Sequence, residues 1–352
     1  MFPFQNTLSA IRLPAAFRSY WRKSRQIVVW CFCILALASC VEEEEFSDDP
    51  MGNFEALWRI MDEHYCFFDE KNIDWNEVHL RYRKQINSGM NDKQLFEVMC
   101  NMLSELRDGH VNLYTSFDMA RYWSWYESYP PNYSDSLVNH YLGTHYKIAA
   151  SIKYHILDDN IGYMRYESFM NDIGGGNLDQ VFLELMPCRA LIIDIRDNTG
   201  GNLTTAEKLA ARFTNEERLV GYMQHKVGRG HNDFSSLEEQ WLKPSNGIRW
   251  QKPVIVLINR QVFSAANEFV KYMRQCPNVT LVGDQTGGGA GLPFSSELPN
   301  GWGVRFSACP MYDVNKQSTE TGIQPDYHVN LTSSDYMKHC DTIIEFARTL
   351  VK

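Results

Sequence analysis

Two junctions between a buried strand and a turn constrain the fold of this chain more than any other feature of its sequence. The strand-like run 191–195, apolar except for Asp194, is followed by a turn that contains the glycine pair Gly200-Gly201. The apolar run 254–258 leads through a short turn to Ser264, which opens a helical pattern. Short apolar strands that are separated by helices predict an α/β core.

The two junctions together supply the parts of an acyl-transfer site. A glycine pair can bring bare backbone N–H groups close to a ligand, and a serine at a helix start lies where unpaired N–H groups stabilise negative charge. Ser264 is therefore the candidate nucleophile, and the amides of Gly200, Gly201 and Ala265 are the candidate oxyanion hole. Each junction alone also has an ordinary explanation, since serine often caps a helix and glycine often lies in turns.

The composition narrows the class of protein around this core. At 352 residues the chain is long enough for a large core and more than one structural unit. Its net charge of -9 gives no sign of the basic face that nucleic acid binding needs. The cysteines beyond residue 40 have no C-x-x-C spacing, which argues against a zinc centre, and no metal or cofactor is expected.

The N-terminus differs in pattern from the rest of the chain. Basic residues precede the apolar run 27–38, which is too short to span a bilayer comfortably and is typical of a secretory signal. The run ends in Leu37-Ala38-Ser39-Cys40, which resembles the lipobox of bacterial lipoproteins. Residues 1–40 are therefore interpreted as a lipoprotein signal peptide with Cys40 as the lipidated residue and membrane anchor. An uncleaved membrane anchor is the alternative.

Residues 41–50 are interpreted as an acidic tether. A block of like charge repels itself and stays solvated, and this segment carries four consecutive glutamates. The block also resembles the acidic export signal of Bacteroidetes lipoproteins. That resemblance implies an outer membrane lipoprotein of the cell envelope that faces the cell surface, whereas a plain spacer is the equally weighted alternative.

The rest of the chain divides into three segments by pattern. Residues 51–113 carry apolar side chains at a spacing of three to four, which predicts a small N-terminal helical unit. Residues 114–160 form an aromatic-rich connecting segment, which either packs internally or binds extended peptide, and 148–156 within it is strand-like. Residues 161–352 alternate strand and helix, end in a predicted helix at 334–350, and are expected to form the α/β core.

Six short motifs occur in an order that resembles one known family. Over residues 50–335 the chain resembles the C-terminal processing (tail-specific) serine peptidases. The resemblance implies an α/β fold with a crotonase/ClpP-like core, and hydrolysis of a peptide or protein substrate without a metal. The motifs are Leu106–His110, Ile161–Arg165, Asp194–Gly201, Phe263–Ala266, Leu281–Gly288 and Gly322–Asp326.

The resemblance also suggests the base that activates the serine. The main branch of the family uses a lysine in the glycine-rich segment after the serine, but the corresponding position here is Gly289. His110 matches the histidine of the branch that resembles the tricorn core peptidase, and histidine has a pKa near working pH. Glu320 is the acid expected to orient His110, with Asp326 and Asp108 as alternatives.

One module common in the family is not expected here. Only a short stretch separates His110 from Ile161, too little for a PDZ module, so the segment 114–160 would supply whatever recognition exists. The sequence thus predicts a secreted, lipid-anchored serine endopeptidase that works through an acyl-enzyme. A catalytically inactive surface peptide-binding protein on the same scaffold is one alternative, and a crotonase-type acyl-thioester enzyme is another.

Overall fold

A computed structural model describes residues 46–351 of the chain. The predicted signal peptide, the lipidation at Cys40 and the first part of the acidic tether lie outside the described residues. The helices are α1 Pro50–His64, α2 Trp75–Arg83, α3 Asp92–Ser104, α4 Ser124–Glu127, α5 Asp135–Leu142, α6 Gly175–Leu185, α7 Leu203–Ala210, α8 Ala265–Arg274, α9 Ser333–Tyr336 and α10 Thr342–Leu350. The strands are β1 Asn112–Tyr114, β2 Met119–Ala120, β3 Lys147–Ala149, β4 Ile152–Ile156, β5 Ile161–Tyr166, β6 Ala190–Asp194, β7 Arg218–Met223, β8 Glu238–Leu242, β9 Val254–Ile258, β10 Val279–Gly283, β11 Gly291–Glu297, β12 Gly303–Tyr312 and β13 Tyr327–His328.

Helices α1, α2 and α3 form the first layer of the described chain. Asp49, at the end of the predicted tether, caps α1 by accepting a hydrogen bond from the amide of Gly52 at 2.8 Å, and Pro50 occupies the first turn. Asn91 and Gln94 form a capping box at the start of α3. The apolar faces of these helices pack against β1 and β12 in one continuous cluster. The core of the helical unit is therefore completed by strands that come from later in the chain.

The main sheet has the strand order β13-β10-β9-β6-β5-β4-β3. Strands β13 to β5 in that order run parallel, while β4 and β3 form an antiparallel edge. Helices α6, α7 and α8 cover one face, and α5 and α10 cover the other. Because β6 and β9 are neighbours, with Asp194 opposite Leu257, the turns that follow both strands open at the same edge of the sheet.

A second sheet has the order β2-β1-β12-β7-β8, with β11 also paired to β12. It joins segments that the sequence pattern separates, because β1 crosses the predicted boundary after residue 113. The antiparallel pair β4 and β5 likewise spans the predicted boundary after residue 160. Residues 46–351 lie in one compact unit, and each sheet contains strands from more than one of the three predicted segments. No helix in this described part of the chain has the length and apolar character that a membrane span requires.

Candidate active site

Ser264 lies between β9 and α8 in a backbone conformation that few residues adopt. Its φ is 58° and its ψ is -127°, which is a strained region for a residue with a Cβ. The side chain does not cap α8, so the ordinary explanation for a serine at this position does not apply. The amide of Ser264 donates to the carbonyl of Gly288 at 2.8 Å, and that of Phe263 donates to the carbonyl of Asn198 at 3.2 Å. These bonds hold the strained turn against two loops, the one that contains Gly288 and the one that runs from Asn198 to Gly201, called the glycine loop below.

His110 reaches this serine from a distant part of the chain. Its Nε2 lies 2.9 Å from the Oγ of Ser264, although the two residues are 154 positions apart. The amide of His110 donates to the Oδ1 of Asp108 at 2.8 Å, and the ring packs against Phe263 with centroids 4.7 Å apart. The structure therefore brings together the two side chains that the sequence predicted to be nucleophile and base.

The imidazole of His110 is almost fully buried, with 4% of the residue exposed. Burial disfavours the charged ring and lowers the pKa of His110 to about 4, although the charge of Asp108 raises it in part. The ring is therefore neutral near pH 7. In the neutral tautomer that accepts at Nε2, the hydroxyl of Ser264 can donate its proton to the ring, as a general base requires.

The predicted contact between Glu320 and His110 is not made. The Oε1 of Glu320 accepts from the Nζ of Lys71 at 2.8 Å, and its Oε2 accepts from the amide of Ala290 at 2.9 Å. The Nδ1 of His110 is buried and has no hydrogen-bond partner among residues 46–351. A buried carboxylate is stabilised by a cation and an amide, and here these two donors occupy both oxygens of Glu320.

Asp108, one of the two alternative acids, lies closer to His110. Besides the backbone amide of His110, it accepts hydrogen bonds from the hydroxyls of Tyr65 at 3.0 Å and Ser307 at 2.9 Å. Although burial opposes ionisation, the charge of Lys71 and the hydrogen bonds from the amide of His110 and the hydroxyl of Ser307 lower the pKa of Asp108, which keeps it ionised. Asp108 thus fixes the backbone of His110 and supplies the nearby negative charge.

Asp326, the other alternative acid, belongs to a different part of the molecule. Its Oδ2 accepts from the amide of Leu281 at 2.8 Å, and its Oδ1 lies 3.7 Å from Arg274. It therefore serves the parallel pairing of β10 and β13 rather than the histidine.

Lys71 is a site residue that the sequence analysis missed. Its Nζ lies 2.8 Å from Glu320 and 3.6 Å from Asp108. Burial disfavours the charged ammonium group, but these two carboxylates outweigh burial and raise the pKa of Lys71. Burial beside Asp108 raises the pKa of Glu320. Lys71 follows α1 in a loop without a motif, so its sequence carried no signal of this role.

The three predicted oxyanion donors differ in their availability. The amide of Gly200 donates to the Oδ1 of Asn198 at 3.0 Å, so it is already occupied and the prediction for Gly200 needs correction. The amides of Gly201 and Ala265 make no hydrogen bond within residues 46–351, so these two remain the candidate donors. Asn198 takes the amide of Gly200 because its Nδ2 is anchored on the carbonyl of Tyr166 at 3.1 Å.

Gly200 has a packing role instead. A Cβ at this position would lie 2.6 Å from the carbonyl oxygen of Phe263 and 2.8 Å from the Cβ of Ser264. Its φ of 100° is also one that side chains rarely adopt. Glycine is therefore required for the loop to lie directly against the nucleophile turn.

Among residues 46–351, the cysteines form no disulfide and the usual metal-binding side chains form no metal centre. The six cysteines of residues 46–351 are unpaired thiols. In the same part of the chain no three His, Cys, Asp or Glu side chains are arranged to hold a metal ion.

Comparison with known proteins agrees with this geometry. The profile of peptidase family S41 matches residues 160–329, and that of the tricorn protease C1 domain matches residues 46–104. A crystal structure of a putative peptidase from Parabacteroides merdae is 54% identical, with 87% of this chain and 97% of that chain covered and a TM-score of 0.83. The structure of mature CPAF, at 11% identity, covers 86% of this chain and 96% of its own with a TM-score of 0.66.

A curated relative extends the comparison. The carboxy-terminal processing protease CtpA of Bacillus subtilis is 24% identical over 183 residues, which are 51% of this chain and 37% of that protein. The chain thus aligns with little more than a third of the length of that relative. The fold and the site together resemble those of the carboxy-terminal processing serine peptidases. The chain belongs to peptidase family S41, which confirms the resemblance and the α/β fold class predicted from the sequence.

Proposed function

We propose that this protein is a secreted, lipid-anchored serine endopeptidase that hydrolyses peptide bonds through an acyl-enzyme. The observation that carries the proposal is the distance of 2.9 Å between the Nε2 of His110 and the Oγ of Ser264. It is supported by the strained, non-capping conformation of Ser264, because strain of this kind persists where the surrounding structure enforces it, often at active sites.

The mechanism follows from the groups around the serine. His110 accepts the proton of Ser264 as the hydroxyl attacks the peptide carbonyl, and it returns that proton to the leaving amine. The amides of Ala265 and Gly201 stabilise the oxyanion, and a water molecule then hydrolyses the acyl-enzyme. Asp108 stabilises the imidazolium that forms in the buried site.

The two alternative functions, an inactive peptide-binding protein and an acyl-thioester enzyme, have less support than the peptidase. A catalytically inactive peptide-binding protein would not need a histidine within hydrogen-bond distance of the serine, or free amides next to it. An acyl-thioester enzyme is disfavoured by membership of a peptidase family.

Peptide hydrolysis tests the proposed activity. The parent protein should cleave an unstructured protein substrate, and Ser264→Ala should reduce the rate by roughly 10³-fold or more because the acyl-enzyme cannot form. Equal turnover by the parent and the variant would contradict the proposal.

The location at the outer membrane is proposed from the lipobox-like sequence that ends at Cys40 and the acidic run that follows it. Expression of the full chain in a bacterial host should give a membrane-bound form that incorporates labelled palmitate. Cys40→Ser should abolish the label and release the protein from the membrane fraction. A label that persists in Cys40→Ser would contradict lipidation at this residue.

A further inference from the structure

A cavity of about 370 Å³ opens beside the proposed catalytic pair. Its wall includes Gly109 and Phe263, which are the chain neighbours of His110 and Ser264. Trp125 forms another part of the wall and stacks on Phe263 with ring centroids 4.3 Å apart. The cavity therefore lies next to the two chain segments that carry the proposed catalytic pair.

Arg260 is the buried cation of this cavity, with 9% of the residue exposed. Its Nε donates to the carbonyl of Trp125 at 2.6 Å, and its Nη1 donates to the carbonyls of Thr286 at 2.9 Å and Thr321 at 3.3 Å. The ring of Tyr129 lies 4.1 Å from its Cζ. These contacts fix the plane of the guanidinium but provide no full negative charge to neutralise it.

The other buried arginines of residues 46–351 differ from Arg260 in one respect. Each of them forms an ion pair with an aspartate, whereas Arg260 has no ion pair and its Nη2 has no hydrogen bond within this part of the chain. A buried charge is costly unless an opposite charge accompanies it. The three pairs are Arg165 with Asp194, Arg196 with Asp194 and Arg212 with Asp179.

The charge on the cavity wall is positive overall. Lys71 and Arg107 line the cavity together with Arg260, against the two carboxylates of Glu70 and Glu320. Glu320 is already engaged by Lys71 at 2.8 Å, and Glu70 is exposed to solvent. Neither carboxylate therefore compensates the guanidinium of Arg260.

A second donor lies at the same wall. The Nε1 of Trp125 is buried and has no hydrogen-bond partner among residues 46–351. A Cβ added at Gly109 would be 2.6 Å from this nitrogen, which shows that the edge of the indole ring packs against the backbone just before His110. The unpaired Nη2 of Arg260 offers two N–H groups, which match the needs of a carboxylate, and the indole N–H is a further polar group without a partner in the same wall.

We propose that this cavity binds a carboxylate of the substrate, with Arg260 as its counter-ion, and so sets the position of the peptide relative to Ser264. The inference rests on the proposed function, because it takes the ligand to be a peptide held for cleavage. A peptide can present this chemistry from its free C-terminus or from an Asp or Glu side chain. Both would accept from the free Nη2 of Arg260 in the same way.

Binding to the Ser264→Ala variant tests the proposal without turnover. Three peptides that carry a neutral N-terminal dansyl group on one otherwise uncharged sequence are compared: one with a free C-terminal carboxylate, one with a C-terminal amide, and one with that amide and a single internal glutamate. At least one carboxylate-bearing peptide should bind roughly tenfold more tightly than the uncharged amide, because a charge-assisted bond is lost without it. The peptide that gains affinity identifies the source of the carboxylate.

Two arginine variants in the same background show whether Arg260 is responsible. Arg260→Gln should abolish the preference for a carboxylate, whereas Arg249→Gln, an arginine outside the cavity, should preserve it. If Arg260→Gln does not fold, Arg260→Lys serves instead and should weaken the preference, since an ammonium group cannot keep the three carbonyl contacts of the guanidinium and also present the free Nη2 donors.

Equal binding of the three peptides, or a preference that is undiminished in both Arg260 variants, would overturn the proposal. These results are distinct from failure of the proposed function. Turnover by the parent without any carboxylate preference would refute only the carboxylate site, and a carboxylate preference without turnover by the parent would refute only the peptidase activity.

Discussion

At the scale of single residues, the chemistry of this site depends on the burial of His110. A solvent-exposed imidazole has a pKa of 6.5, and burial lowers that of His110 to about 4. The neutral ring is the form that can accept a proton from Ser264. Activity should therefore persist as the pH falls through 6.5 and should be lost only as the pH approaches the lowered pKa.

The pH dependence of kcat/KM measures this shift. The acid limb of the profile should lie near pH 4, with circular dichroism at each pH to separate titration from unfolding. An acid limb close to 6.5 in the folded protein would show that His110 is not the buried base described here.

Asp108 gives a second prediction for a single residue. Asp108→Asn keeps the shape of the side chain but removes the negative charge that favours the imidazolium of His110. We expect kcat to fall by roughly 10² to 10⁴-fold and the acid limb to move to lower pH. Asp158→Asn, at an exposed position, is the control and should leave both unchanged. A normal kcat in Asp108→Asn would contradict the role of this carboxylate.

At the scale of elements, the sequence predicted best where a segment is buried on all sides. Strand β9 runs from Val254 to Ile258 as expected, because every residue in it is buried in a parallel sheet. The strand-like run 148–156 instead forms the hairpin of β3 and β4, with Ala150 at a φ of 52° between them.

Polar caps and edge strands explain most of the other differences. The predicted helix 334–350 is two helices, because the side chain of Asp341 accepts from the amides of Ile343 and Ile344 and so starts α10 anew. Strands β8 and β11 were missed because each contains only one buried residue and β11 contains Pro293. Their pairing depends on a partner strand that lies far away in sequence.

The junction between the glycine loop and α8 supports a prediction for an element. Gly200→Ala would push a Cβ within 3 Å of Phe263 and Ser264 at a φ of 100°, so the nucleophile turn must shift. Activity should fall by roughly 10²-fold or more, as expected when the oxyanion site is displaced.

Gly176→Ala is the matched control for this substitution. A Cβ at Gly176 meets nothing within 4 Å, and alanine should stabilise α6 by about 0.5–1 kcal/mol. Both activity and thermal unfolding are measured for the two variants. Full activity in Gly200→Ala would contradict the tight packing of the loop.

At the scale of the whole molecule, the site is assembled from regions that no local pattern connects. The sequence identified Ser264 and His110 through short motifs, and the fold brings them to 2.9 Å. The contacts of Lys71 with Glu320 and Asp108 were not predictable from the sequence. Glu320 lies 249 residues further along the chain, and Asp108 lies in the turn before His110. Which carboxylate accompanies a histidine depends on such long-range packing, so the sequence left that choice open.

Lys71 should therefore contribute to the stability of the molecule. Lys71→Met leaves Asp108 and Glu320 as two buried carboxylates without their cation, which should lower the free energy of unfolding by about 3 kcal/mol at a pH above the raised pKa of Glu320, which is about 8. The loss should shrink as the pH falls, because protonation of Glu320, whose pKa is already raised, removes one of the two charges.

Urea denaturation at several pH values measures this effect. Lys243→Met, at a lysine whose side chain is 76% exposed, should change the free energy of unfolding by less than about 0.5 kcal/mol. Equal stability of the two variants would mean that Lys71 does not neutralise the buried carboxylates.

The most direct measurement is the rate at which a fluorophosphonate reagent labels the folded protein, with the modified residue identified by mass spectrometry. Ser264 should be labelled rapidly in the parent, and His110→Gln should slow the labelling by roughly 10²-fold or more, because the hydroxyl loses its base. Labelling of Ser264 that is as fast in His110→Gln as in the parent, or no labelling of Ser264 at all, would contradict the central claim that the buried imidazole activates this serine.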